Sequence, residues 1–155
     1  MRVSACGWVA DTLEETLDIA GRSAEVSHNS QKSVEGAQAI AAAISLARSG
    51  QSKQEIKKYS EVNFCYNLDK TVAEHRATRS KNYACSQSGP EAIRCCLESD
   101  TYEQTIRNTD TVADIAGAMA AATPGMEVSQ EWANRVFDML DDELKSIFVE
   151  FHEQS

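Results

Sequence analysis

Apolar residues recur at helical spacing from one end of the chain to the other, and polar residues of the kind that cap helices stand before them. Strict alternation of apolar and polar residues, which a half-buried strand needs, is not sustained in any segment. The pattern predicts an all-α protein folded as a compact multi-helix bundle. With 155 residues and no recognisable linker or internal repeat, a single domain over residues 1–155 is expected.

Capping signals set the expected helix boundaries. In chain order, the first expected helix opens at Asp11–Glu14 and ends near Ser27, and the second follows Ser33 and ends at Gly50. The third opens at the capping box of Ser52 and Glu55 and includes Ile56, Tyr59 and Val62, the fourth runs from Leu68 to about Arg76, and the fifth runs from Pro90 to Leu97. The sixth opens at Asp100 and Glu103, and the seventh runs from a cap at Thr109 or Asp110 to Ala122. The polar interval 77–89 is expected to be a loop. Ser129 begins the last region, whose apolar spacing predicts packed, core-facing helices. That spacing is carried by Trp132, Val136, Leu140, Leu144, Ile147, Phe148 and Phe151.

The charge of the chain limits its partners. The net charge is −9, and no basic run offsets it, so nucleic-acid binding is not expected.

Apolar stretches are interrupted by charges well before the ~20 residues that a membrane span needs. The N-terminal segment "MRVSACGWVA" is too short and too soon followed by acidic residues for a signal peptide. A cytoplasmic protein with no membrane contact is therefore expected.

Five cysteines, an odd number, form no Cys-x-x-Cys pair and have no histidine spaced for zinc. The adjacent Cys95 and Cys96 are compatible with redox activity. Helical spacing, however, makes Cys96 continue the face of Ala92 and Ile93, which favours a small core residue.

Several segments, taken in order, resemble the C-terminal part of the ADP-ribosylglycohydrolase family, also called the DraG-like or crystallin J1-related family. Residues 1–50 are similar to that family's run from an "MR" loop to a Ser/Thr-His and an alanine-rich helix. "SGPEAIRCCLES" resembles its Val-Pro-x-Ala helix, and "TDTVADIAGAMAAATPG" resembles the helix after its metal motif. The resemblance implies an all-helical fold, with a cleft that holds two magnesium ions and hydrolyses ADP-ribose from a modified side chain or a related conjugate.

The sequence departs from the family pattern at the metal motif. The pattern runs from Ile-Arg-Asn through a short linker to Gly-Gly-Asp-x-Asp-Thr, whereas "TIRN" leads here directly into "TDT". Asp110 and Thr111 match the retained Asp-Thr, and Asn108 falls at best where the lost aspartate would be. The family's N-terminal ligand groups have no counterpart in the chain, which the resemblance therefore identifies as truncated. Because Mg²⁺ needs a well-formed oxygen shell, Asp110 and Thr111 are interpreted as a vestigial site that holds no metal. No cofactor is therefore expected, and magnesium is expected to bind only if the site is still competent.

Asp110 and Thr111 have an ordinary alternative as helix-capping residues, because their oxygens can satisfy free backbone amides. Asp114, one turn further, is expected to be exposed. The resemblance also marks His28, Asn29 and Arg2 as residues near an ADP-ribose cleft. For His28 the alternative is a surface turn histidine, and for Arg2 a solvated side chain.

Three functions follow from this interpretation. The first is a catalytically inactive protein that acts as a homodimer or through another protein partner, since apolar helix faces left bare by truncation form interfaces. The second is a module that binds ADP-ribose or a related nucleotide without hydrolysing it. The third is a magnesium-dependent ADP-ribosyl hydrolase that works only when another chain completes it.

Overall fold

Helices make up every regular element of the residues that the computed structural model describes, which are 2–78, 85–109 and 112–154. The all-α prediction is confirmed for these residues. The elements are, in chain order, a 3₁₀ turn at Arg2–Ser4, α1 (Cys6–Val9), α2 (Leu13–Glu25), α3 (Gln31–Arg48), α4 (Lys53–Phe64), α5 (Val72–Thr78), α6 (Cys85–Leu97), α7 (Tyr102–Arg107), α8 (Ala113–Ala122), α9 (Gln130–Met139) and α10 (Asp142–Gln154).

The alanine-rich helix α3 forms the centre of the bundle. It packs against α1, α2, α4, α6 and α8. Its buried residues are mainly alanines together with Ile40 and Ile44, and Ile44 is completely buried. Because alanine side chains are small, neighbouring helices approach α3 closely on several sides. Among the described helices, none is long and apolar enough to cross a membrane.

Several predicted boundaries are confirmed by hydrogen bonds or backbone conformation. Ser52 and Glu55 form a complete capping box at the start of α4. Gly50 has φ +76°, a conformation that glycine adopts easily and that ends α3 where expected. Ser129 caps α9 through the amide of Trp132.

Two starts differ from the prediction because another side chain makes the cap. In α2 the side chain of Thr12 accepts from the amide of Glu15, so the cap lies one residue later than the predicted box. In α3 the cap is Ser30, which accepts from the amide of Ser33, and the helix begins three residues earlier than predicted. Ser33 is thus the partner of the cap, not the cap itself.

The starts of α5 and α6 differ more from their predicted positions. Helix α5 begins at Val72, four residues later than predicted, because Thr71 and Glu74 make reciprocal hydrogen bonds there. Helix α6 begins at Cys85, so Gly89 and Pro90 lie inside it and not at its first turn. Both are buried, and burial against neighbouring helices outweighs their low helix propensity.

Candidate functional site

The connection between α7 and α8 contains the segment that resembles the family's metal motif. Asp110 and Thr111, the two proposed vestigial ligands, lie outside the described residues. Asn108, Thr109 and Val112 on either side are described.

Asn108 is held on both its side chain and its backbone. Its Nδ2 donates to Oγ of Ser99 at 2.9 Å. Its carbonyl oxygen accepts from Nη2 of Arg76 at 2.7 Å and from Sγ of Cys95 at 3.1 Å. Asn108 therefore joins the end of α7 to α5 and α6, and its polar groups serve the packing of these three helices.

Thr109 closes α7 and does not cap α8. Its Oγ1 donates to the carbonyl of Ile106 at 2.6 Å. The N-cap of α8 is Val112, which makes no side-chain capping bond and is buried among residues of α5, α6 and α8. The predicted cap at Thr109 is wrong because its hydroxyl is hydrogen-bonded to Ile106 at the end of α7.

The thiols next to this connection are buried and protonated. Desolvation, with a smaller contribution from the carboxylate of Glu91, raises the pKa of Cys95 to about 12. Burial also raises the pKa of Cys96, whose side chain packs in the main core. Because thiolates are the reactive form, neither residue is an activated nucleophile at neutral pH. The prediction that Cys96 fills the core is confirmed, and Cys95 is equally buried.

The described residues that flank the connection do not by themselves form a magnesium site. Asp114 is exposed in the first turn of α8, as predicted. Asn108 offers an uncharged amide in place of the lost aspartate, and its Nδ2 donates to Ser99. Within the described ranges, no three His, Cys, Asp or Glu side chains come together as a group that could hold a metal ion. Mg²⁺ in proteins is usually held by one or two carboxylates and keeps several waters, and the described carboxylate nearest in sequence to the connection is that of the exposed Asp114.

The turn between α2 and α3 carries the second group of predicted site residues. His28 is exposed, and its Nδ1 lies 2.8 Å from Oγ of Ser27. Asn29 is also exposed. Arg2 begins the N-terminal 3₁₀ turn, but its side chain is outside the described part. No hydrogen bond or ion pair of the described residues joins this turn to Asn108.

A cavity of about 260 Å³ lies at the other end of α3. Its lining consists of Ala10, Asp11, Ser45, Arg48 and Ser49. The guanidinium of Arg48 donates to the carbonyl of Trp8 and lies 5.7 Å from the centre of the Trp8 ring. Because α3 is about 27 Å long, this cavity is remote from the His28 turn. The arginine lies at a helix end and matches no site motif, so no signal in the sequence marks it.

The last two helices each expose a stripe of apolar side chains. We call the two stripes together the C-terminal apolar face; it consists of Trp132, Val136 and Met139 on α9 with Leu144, Ile147, Phe148 and Phe151 on α10. Exposure reaches 60% for Val136 and 81% for Met139, and α9 has no buried residue. The prediction that these helices are packed in the core is wrong: their helical spacing is correct, but apart from ring contacts of Trp132 and Phe148 no described element covers these side chains.

In the described part of the chain, aromatic contacts attach these helices to the bundle and to each other. The ring of Trp132 meets that of Tyr102 on α7 edge-on, with 6.3 Å between centroids. The rings of Phe137 and Phe148 join α9 to α10 at 5.7 Å. Lys145 lies 5.8 Å from the centre of the Phe137 ring. The C-terminal helices are therefore tethered to the bundle at its edge.

Comparison with known families supports the relationship expected from the sequence. A family model described as ADP-ribosylglycohydrolase matches residues 1–155. No curated protein and no solved structure matches the chain. Since the matched region covers every residue, the chain belongs to the ADP-ribosylglycohydrolase family.

Proposed function

We propose that this member of the ADP-ribosylglycohydrolase family acts through protein contacts and is not a hydrolase on its own. The observation that carries the proposal is the exposure of the C-terminal apolar face. Large exposed apolar patches on soluble proteins are typical of interaction sites. Fully burying an exposed large apolar side chain contributes roughly 1.5–3 kcal/mol, and Ile147 and Phe148 are 55% and 53% exposed, so a partner would gain about half of that from each.

The proposed lack of hydrolysis rests on the connection before α8. The family pattern requires an aspartate after Gly-Gly, and the sequence has neither here. Asn108, the nearest substitute, brings an uncharged amide in place of a carboxylate, and its Nδ2 is hydrogen-bonded to Ser99. Magnesium in such a site would orient ribose hydroxyls and activate water, which is the chemistry that this connection is proposed to lack.

A release assay tests the catalytic part. The purified chain would be incubated with an ADP-ribosylated protein and millimolar magnesium, and free ADP-ribose would be measured, with a hydrolytically active member of the family as positive control. The expected rate equals that of the substrate alone. Magnesium-dependent release by this chain would overturn the proposal. Release only after a second protein is added would favour the alternative of a hydrolase completed by another chain.

A second proposal, binding of ADP-ribose without hydrolysis, draws on the exposure of His28 and Asn29 in one turn. An imidazole and an amide that face solvent are available to a ribose or a phosphate. Calorimetry with ADP-ribose tests it against a His28→Ala variant. Heat that the variant no longer produces would support the proposal, and no heat at millimolar ligand would remove it.

A further inference from the structure

The negative charge of the chain is concentrated in its last two helices. Residues 127–155 contain eight Asp or Glu and two Lys or Arg, a formal charge of −6 out of the chain's −9. The preceding 126 residues therefore carry only −3. The segment that exposes the C-terminal apolar face is also the most acidic part of the protein.

Carboxylates stand beside this face on both helices. On α9, Glu131 and Asp138 are seven residues apart and share one side of the helix. On α10, Glu143 and Glu150 have the same spacing. All four side chains are exposed. Each immediately precedes an exposed apolar residue in the sequence, so each helix presents an acidic edge next to its apolar stripe.

This combination selects among possible occupants of the face. A second copy would bring two acidic segments together, and juxtaposed like charges oppose association. A helix with an apolar stripe between lysines or arginines would bury the apolar residues and pair with the acidic edges. The charge complementarity therefore favours a different protein over a second copy of this chain.

Resting on the proposed function, we propose that the C-terminal apolar face binds a basic amphipathic helix of a partner protein. In this arrangement the apolar residues of α9 and α10 supply most of the affinity. The carboxylates of Glu131, Asp138, Glu143 and Glu150 set the orientation and the preference for a basic partner. Binding consequently weakens as salt screens the charges.

The fluorescence of Trp132, which lies on the C-terminal apolar face, reports directly on binding there. A Trp8→Phe variant keeps an aromatic ring under Arg48 and leaves Trp132 as the single tryptophan. The probe is a synthetic peptide of about 18 residues with leucines on one helical face and lysines on the other. A peptide with glutamates in place of the lysines is the control. We expect a blue shift of Trp132 fluorescence with the lysine peptide and none with the glutamate peptide.

Charge variants test the chemistry of the partner. Asp138→Asn with Glu150→Gln is expected to weaken binding of the lysine peptide about tenfold, because two charge pairs are removed. Glu14→Gln with Glu25→Gln removes the same charge from exposed positions of α2 and is expected to leave binding unchanged. Equal affinity in both double variants, or equal binding of the two peptides, would overturn the basic partner.

Apolar variants separate this outcome from failure of the proposed function. Ile147→Asp is expected to abolish binding, whereas Val62→Asp, at a 69% exposed position of α4, is not. If Ile147→Asp abolishes binding while the charge variants have no effect, the face is an interface but its partner is not basic. A dimer in sedimentation that Ile147→Asp dissociates would make a second copy the occupant and overturn this inference. If Ile147→Asp changes neither peptide binding nor self-association, the proposed function itself is refuted.

Discussion

Nδ2 of Asn108 donates a hydrogen bond of 2.9 Å to Oγ of Ser99, and Oγ of Ser99 donates in turn to the carbonyl of Cys95 at 2.6 Å. The first bond links the end of α7 to the end of α6, and the second anchors Ser99 on α6 itself. Ser99 is completely buried. The amide of Asn108 thus has a structural role in the packing of the bundle.

Asn108→Ala is expected to lower the free energy of unfolding by about 1 kcal/mol, because it removes a hydrogen bond to a buried hydroxyl. Ser99 keeps its bond to Cys95, so the effect is not larger. Urea denaturation measures it. Asn29→Ala, the same substitution at an exposed position, is expected to change stability by less than about 0.5 kcal/mol. Equal effects of the two variants would contradict a structural role for the Asn108 amide.

Gly7→Ala is expected to destabilise the protein by about 1–3 kcal/mol, because there is no room for a methyl group between α1 and α3. A Cβ on Gly7 would lie 2.7 Å from Cγ2 of Ile44 and 2.8 Å from the carbonyl oxygen of Ala41. The oxygen belongs to the backbone and cannot turn aside. Thermal denaturation measures the destabilisation.

Gly21→Ala is the matched control for Gly7→Ala. The nearest atom to its added Cβ is Nε2 of Gln38 at 3.1 Å, the end of a flexible side chain. Alanine also has a helix propensity about 0.5–1 kcal/mol better than glycine. The net change is therefore expected to stay within about 1 kcal/mol. A larger destabilisation at Gly21 than at Gly7 would show that α1 packs more loosely on α3 than described.

The buried thiol of Cys95 makes stability depend on alkaline pH. Its pKa is about 12 in the folded protein and 9.0 when unperturbed. The unfolded chain therefore releases this proton first, so the contribution is complete below pH 9 and disappears as the pH rises from 9 to 12. Within that window Cys95 lowers the unfolding free energy by about 1.4 kcal/mol per pH unit.

Cys95→Ala is expected to flatten the fall in unfolding free energy between about pH 8 and about pH 10.5 by about 2 kcal/mol. Part of the fall remains, since burial also raises the pKa of Cys6, Cys96, Tyr59 and Tyr102. Urea denaturation at several pH values measures the slope. Cys65→Ala, at an exposed position, should retain the slope of the parent protein. The same slope in both variants would mean that Cys95 is accessible to solvent.

Local signals predicted several elements because the residues that make the capping bond are neighbours in sequence. Ser52 and Glu55 illustrate this: each supplies an acceptor for a backbone amide that no helical bond can satisfy. The start of α6 had no such signal. Gly89 and Pro90 usually mark a boundary, but here both are buried, and the ring of Tyr66 lies against Gly89. That packing involves residues distant in sequence.

The candidate site likewise combines features that the local sequence predicts with contacts that it does not predict. The family resemblance marks Asn108 as a candidate site residue, but its hydrogen bond to Ser99 depends on how α6 and α7 pack, which no spacing rule predicts. Likewise, the periodicity of Trp132 and Ile147 predicts that each helix has an apolar face. Periodicity does not specify what covers the face. In the folded chain no described element buries it, apart from the ring contact of Trp132 with Tyr102, so the core-facing prediction is wrong although the helices are correct.

Deletion of residues 129–155 is expected to leave the rest of the chain folded and to lower its unfolding free energy by only about 1 kcal/mol, because α9 has no buried residue. The deletion chiefly removes the ring packing of Trp132 on Tyr102, worth roughly 0.5–1.5 kcal/mol, and it retains Met126, which is buried in the core. Urea denaturation of the shortened chain measures the change. Ile44→Ala in the full chain, expected to cost about 2–5 kcal/mol, is the reference for a true core residue. If the shortened chain is destabilised as much as Ile44→Ala or fails to fold, α9 and α10 pack on the bundle in solution, and the C-terminal apolar face is covered by the protein itself.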